Sequence, residues 1–265
     1  MRRTALITGA SAGIGEAFAE VFAADGFDLV VVARRVERLD ALAARLTQQH
    51  GVAVHVLPVD LALPDAAATL AAALEARGLT IDALVNNAGY GVPGAYTSAS
   101  WERQHALLQV MVVTLAELTY RLVPGMVARG YGRIVNVASL AGLVPPAAGH
   151  TLYAASKAFV IKFSEALAHE VRHRGVHVTA LCPGFTLSEF HDVTGTRAMM
   201  NRMPRWIWSD SPTVAREGHA AVMAGETVHI PGRLNRGLAM LVRLLPQRLV
   251  QAAGRRAGRS YRRSE

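Results

Sequence analysis

Thr4-Ala5-Leu6-Ile7-Thr8-Gly9-Ala10-Ser11-Ala12-Gly13-Ile14-Gly15 is an apolar run that breaks into a glycine-rich turn and passes at once into an Ala-rich helical stretch. Glycines let a chain turn tightly and approach a phosphate closely, while the free amides and dipole of the following helix attract the anion. A plain strand-to-helix connection would also tolerate such a turn. Its place directly between strand and helix favours a dinucleotide site.

Working outward, further apolar, β-branched runs fall at Leu29 to Ala33, Val52 to Val59, Ala83 to Val85, Arg133 to Ala138, Val176 to Leu181 and Thr227 to Ile230. Helical patterns separate them at about 14–24, 36–49, 64–77, 99–128, 151–174 and 213–224. Continuous apolar strands alternating with helices predict an α/β fold, a doubly wound parallel sheet of about seven strands covered on both faces. Ligands of such sheets bind beyond the carboxyl ends of the strands.

The chain has 265 residues, 51% apolar and 18% charged, which suits one large domain and excludes a disordered chain or a disulfide-stapled mini-protein. The formal charge of +8 is misleading: residues 233–265 hold nine Arg against Glu265, so the body before them is neutral. No nucleic-acid partner is expected. One cysteine, Cys182, and no long apolar leader in residues 1–10 make a reducing cytosol the expected compartment. Domain limits are drawn at 1–232 for the sheet domain and 233–265 for a basic amphipathic extension.

The second strand ends in Ala33-Arg34-Arg35, where an NAD site usually carries an acid for the ribose hydroxyls. Two guanidiniums suit a 2′-phosphate, so NADP(H) is expected over NAD(H). Of 28 basic residues only Lys157 and Lys162 are lysines. Lys157 follows Tyr153 by four residues, one helical turn, and a cation there is expected to favour the phenolate and pull the phenol's pKa down.

These segments together resemble the short-chain dehydrogenase/reductase family: Thr8 to Gly15 matches its TGxxxGxG, Asn86-Asn87-Ala88-Gly89 its NNAG and Tyr153 to Lys157 its YxxxK, with Ser139 and Pro183-Gly184 in order. The resemblance implies a Rossmann-like fold and hydride transfer between a nicotinamide cofactor and a carbonyl or alcohol. It implies that Tyr153 is the acid/base, that Lys157 holds the nicotinamide ribose and that Ser139 orients the carbonyl oxygen. Cofactor contacts would come from Gly9, Ser11, Gly13, Ile14 and Gly15, from Arg34 and Arg35, and from Asp60 and Leu61 near the adenine. Asn87, Ala88 and Gly89 would lie beside the adenosine half, with Pro183, Gly184 and Thr186 at the nicotinamide. The family usually carries an Asn on the helix before the Ser strand; here Met111 stands in that register, which raises an alternative, a nucleotide-binding relative with weakened turnover. Gln109 is a candidate replacement in the proton path.

The segment of about 185–212, with Phe185, Phe190, Met199, Met200, Met203, Trp206 and Trp208, reads as a lid over a lipophilic ketone or 3-oxoacyl substrate, or as a contact with another subunit. A homodimer or homotetramer through the helices near 101–128 and 151–174 is expected from the resemblance, with Leu107, Val110 and Phe159 as apolar candidates. In the tail, Leu234, Leu238, Leu241, Val242 and Leu245 share one helical face with Arg236 and Arg243 opposite, a pattern suited to a weak membrane-surface contact or to packing on the body. His169-Glu170-Val171-Arg172-His173 meets the HExxH pattern of zinc hydrolases; Gly175 ends the helix directly after it, so it reads as a chance match and no metal is expected.

Overall fold

The computed structural model describes residues 2–146, 148–187, 189 and 207–245. Its strands are β1 (Thr4–Thr8), β2 (Asp28–Ala33), β3 (Val54–Pro58), β4 (Ala83–Asn86), β5 (Gly132–Val137), β6 (Val176–Leu181), β7 (Thr186–Leu187), β8 (Ser209–Asp210) and β9 (Val228–His229). Seven of them form one parallel sheet in the order β3-β2-β1-β4-β5-β6-β9. The helices are α1 (Gly13–Ala24), α2 (Val36–His50), α3 (Ala66–Ala76), α4 (Trp101–Leu108), α5 (Leu115–Ala128), α6 (Thr151–Val171), α7 (Ser211–Ala224) and α8 (Arg233–Leu244).

Successive side chains of a strand point to opposite faces, and in β1 both faces are sealed. Ile7 packs with Phe18, Phe22, Leu39 and Val214 of α1, α2 and α7, whereas Leu6 packs with Leu70, Leu107 and Leu118 of α3, α4 and α5. The strand order reverses between β1 and β4, and their carboxyl ends open a crevice there. Local chemistry sets the element ends: Asp210 caps α7 by accepting from Thr213 N at 2.6 Å, Pro212 sits in the first turn, and Gly225 closes the helix at φ +75°.

Three sequence expectations change. A π-helical segment, Gln109–Thr114, joins α4 to α5 in what the sequence reads as one helix. Leu107 and Val110 face the core, 0% and 9% exposed, so neither is available to a second copy; Phe159 is. Third, β7 and β8 pair as a small parallel ladder, which draws together the two ends of the 185–212 segment. Phe190, Met199, Met200, Met203 and Trp206 lie outside the described residues, as does the tail beyond 245. The stretch Trp101–Ala128 is apolar enough by length and composition to cross a bilayer, but its Leu107, Met111, Leu118 and Met126 are buried against the sheet.

Candidate active site

The first turn owes its shape to glycines that nothing else could replace. Gly9 (φ +67°) and Gly13 (φ +60°) adopt left-handed backbone, and a Cβ on Gly15 would lie 2.5 Å from Asn87 Nδ2 and closer still to the Gly9 carbonyl oxygen. Asn87 and Ala88 fix the turn from the β4 side. Thr8 Oγ1 accepts from the amides of Asn87 at 2.9 Å and Ala88 at 3.1 Å, and Asn87 Nδ2 donates to the carbonyls of Thr8 and Gly9. Gly15→Ala is therefore expected to cost about 3 kcal/mol or more of folding free energy, because the clash is with backbone that cannot step aside. Denaturant titration beside Gly237→Ala, where the backbone is helical and a Cβ meets no neighbour, measures it; equal midpoints would refute the packing argument.

This turn forms one end of a cleft of about 920 Å³. Gly9, Ser11, Gly13, Ile14, Arg34, Arg35, Asp60, Leu61, Asn87, Ala88, Gly89, Ser139, Tyr153, Lys157, Pro183, Gly184 and Thr186 line it. Gly15 lies behind the turn instead. The two arginines diverge: Arg34 Nη1 lies 4.0 Å from Asp60 Oδ2, and Arg35 donates through Nε and Nη2 to Ser11 Oγ at 3.2 and 2.9 Å. A backbone cradle only glycine fits, with the Arg35 guanidinium beside Ser11, suits the phosphates of a dinucleotide.

At the other end, β5 delivers Ser139 and α6 delivers Tyr153 and Lys157. Ser139 Oγ accepts from Ala141 N at 3.1 Å, which sets the short turn Leu140–Gly142 against α6, and a Cβ on Gly142 would meet the Lys157 carbonyl carbon at 2.7 Å. Lys157 belongs to the buried stripe of α6 with Ala154, Val160, Ile161, Ser164, Ala168 and Val171. It is 6% exposed, and its Nζ donates to Val137 O at 2.7 Å and lies 5.7 Å from the Tyr153 ring centre.

That burial corrects the expected electrostatics. Loss of water pushes the Tyr153 phenol above its ordinary pKa, and a hydrogen bond with Ser139 opposes the shift only in part. Burial also drives the Lys157 ammonium down, to about 8, with a small opposing influence from Cys182, whose own buried thiol is pushed up to about 12. Spacing puts phenol and ammonium on one face; desolvation of the hydroxyl of the partly buried Tyr153 reverses the sign for the phenol. His150, its ring centre 6.0 Å from that of Tyr153, is held below its ordinary pKa by burial.

Met111 is 1% exposed and packs by Gly89. Gln109 Nε2 donates to Thr114 Oγ1 at 3.1 Å, and Thr114 Oγ1 donates on to Leu61 O, so the Gln109 amide braces the π segment. His169, Glu170 and His173 are exposed; α6 ends at Val171, which puts His173 in a following 3₁₀ turn. Among the described residues no cluster of three or more His, Cys, Asp or Glu could hold a metal ion. Sequence reasoning missed the lining residues Tyr90, Arg103, Val144, Pro145, Pro146, His150, Glu189 and Leu238. The connections after β4 and β5 lie at strand carboxyl ends, a signal that covers Tyr90, Val144, Pro145, Pro146 and His150; Glu189 falls inside the 185–212 segment and Leu238 on the tail's apolar face, and nothing local marks Arg103.

A nucleotide cradle running into a pocket floored by a phenol, a hydroxyl and an ammonium is the plan of a dinucleotide-dependent oxidoreductase. The sequence profile of the short chain dehydrogenase family matches residues 3–197, and the chain belongs to this family. A short-chain dehydrogenase from Sphingobium yanoikuyae, solved in complex with NADPH, is 34% identical with a TM-score of 0.80, over 92% of this chain and 97% of that one. The bulky-bulky ketone specific alcohol dehydrogenase from Comamonas testosteroni is 30% identical with a TM-score of 0.75, over 92% and 95%. A very-long-chain 3-oxoacyl-CoA reductase of Mycosarcoma maydis is 33% identical over 219 residues, 82% of this chain and 62% of that protein.

Proposed function

We propose that this oxidoreductase uses NADP(H) to reduce a lipophilic ketone or 3-oxoacyl substrate, or to oxidise the matching secondary alcohol. The observation that carries the reading is the convergence of Ser139, Tyr153 and Lys157 on one cleft with the glycine-rich turn. Arg35 beside Ser11 supports NADP(H), as does the NADPH bound by the Sphingobium relative. Val144, Pro145, Pro146, Phe185 and Leu238 give the cleft an apolar wall suited to a hydrocarbon substituent.

When bound, the nicotinamide supplies or accepts a hydride at the carbonyl carbon. The chain's own residues manage the oxygen. Ser139 Oγ orients it by hydrogen bonding, and the Tyr153 hydroxyl, kept protonated by burial, gives it a proton in reduction. Lys157, fixed by Val137 O, holds its positive charge behind the phenol and favours the phenolate as it forms. The test is spectrophotometric: NADPH oxidation over a series of ketones of increasing chain length, with kcat/KM expected to rise with each added methylene. A flat series would remove the lipophilic assignment.

Two contacts belong to the proposal. Helix α8 buries none of its residues; Leu234, Met240, Leu241 and Leu244 are more than half exposed, Leu238 reaches the cleft, and Arg233, Arg236 and Arg243 share the helix. That combination suits the headgroup region of an anionic bilayer, from which a lipophilic substrate would enter. The protein should co-sediment with phosphatidylserine vesicles and much less with phosphatidylcholine ones, and Leu241→Glu/Leu244→Glu should release it; no binding by the intact chain would dismiss the contact. Exposed Val113, Tyr120 and Phe159, the last stacked on Phe163 at 5.8 Å, form the outer faces of the 109–128 and 151–171 helices, where a second copy would pack. Light scattering should give a dimer or tetramer mass, reduced by Phe159→Glu; a monomer would end that expectation.

A further inference from the structure

The NADP(H) reading leaves one anion unexplained at the place where a 2′-phosphate has to be met. Glu189, two residues beyond β7, extends its carboxylate to the start of α2, where Arg35 Nη1 donates to Oε2 at 2.9 Å and Arg38 Nη1 donates to Oε1 at 2.6 Å. Arg35 thus spends Nε and Nη2 on Ser11 and Nη1 on Glu189. The carboxyl is held below its ordinary range by these bonds, Arg38 first and Arg35 second, and it lines the cofactor cleft. Arg34 and Asp60, which face each other at 4.0 Å, and Arg103 line the same cleft.

We propose that Glu189 sets cofactor selectivity by competing with the 2′-phosphate for Arg35 and Arg38. The inference rests on the NADP(H) reading and sharpens it. A phosphate and a carboxylate make the same demand, charge-assisted bonds from planar guanidiniums, and like charges at contact distance repel. NADP(H) must displace the carboxylate or bind against its charge, whereas NAD(H), with only a ribose hydroxyl at that position, need not. The arginines taken alone therefore overstate the preference for NADP(H), and the acid that the sequence lacks at the end of β2 is returned from a residue 154 positions away.

The experiment is calorimetric binding of NADPH, NADH and 2′,5′-ADP to the full-length wild type, Glu189→Gln and Glu189→Ala, with no turnover required. Both variants should bind NADPH and 2′,5′-ADP about tenfold tighter than wild type, leave NADH within about twofold, and lose most of the difference at high ionic strength, where surface charges are screened. Unchanged NADPH affinity overturns the proposal, and weakened affinity overturns it in favour of a carboxylate that braces the arginines for the phosphate. A wild type that binds NADH but neither NADPH nor 2′,5′-ADP strikes the NADP(H) reading itself, an outcome distinct from failure at Glu189.

Discussion

Tyr153→Phe should lower kcat for ketone reduction by about 10²- to 10⁴-fold while NADPH binding stays within about twofold, because only the proton donor is removed and the ring remains. Tyr153 is partly buried, its hydroxyl desolvated beside Ser139 and pushed above its ordinary pKa, so it stays protonated through neutral pH. Reduction needs that protonated form; its rate should hold through neutrality and fall only where the phenol ionises in alkali. Oxidation of the alcohol needs the opposite form and should climb with pH. Steady-state kinetics in both directions across a pH series, beside direct NADPH titration, checks all three statements. A variant with near-normal kcat, or an oxidation rate that falls with pH, would remove Tyr153 from proton transfer.

Lys157→Met should have two effects of opposite sign: turnover lost by a similar factor, and a protein more stable at neutral pH. An ammonium moved from its ordinary 10.5 to about 8 by burial reports a cost of about 3 kcal/mol for carrying charge in the fold at pH 7. Methionine matches the stem without the charge. Losing the bond to Val137 O, which leaves a buried acceptor, takes back about 1 to 3 kcal/mol, for a net gain of at most about 2 kcal/mol. The pH dependence fixes the sign independently. Between about 8 and 10.5 the unfolded chain binds the proton and the folded one does not, so wild-type stability should rise with pH across that window, and the variant should lack this contribution. Urea unfolding at pH 7 and at pH 10 measures both; a variant less stable than wild type at pH 7 would mean the buried cation is compensated.

The same pair marks how far a sequence can be read. The four-residue spacing of Tyr153 and Lys157 establishes a shared helical face, and Ala154, Ile161 and Ala168 in the same stripe already hint at burial. The sign of the phenol's shift depends on what lies across that face, Val137 and the turn at Ser139 to Gly142, which no count along the helix supplies. Leu107 and Val110 carry the same lesson, since apolar residues on a long helix suit a subunit interface or a core equally well until the packing partners are known.

By itself the sequence determined the alternation of strands and helices, the parallel sheet that apolar strands without polar alternation require, the glycine turn after β1 and the family, because these follow from local period and from motifs confined to short stretches. Tertiary structure alone decided which side chains lose their water, that Arg34 turns to Asp60 while Arg35 turns to Ser11 and Glu189, and that β7 and β8 pair. Hydration and charge pairing are set by whatever the fold brings alongside a residue, and those neighbours lie tens to hundreds of positions away along the chain.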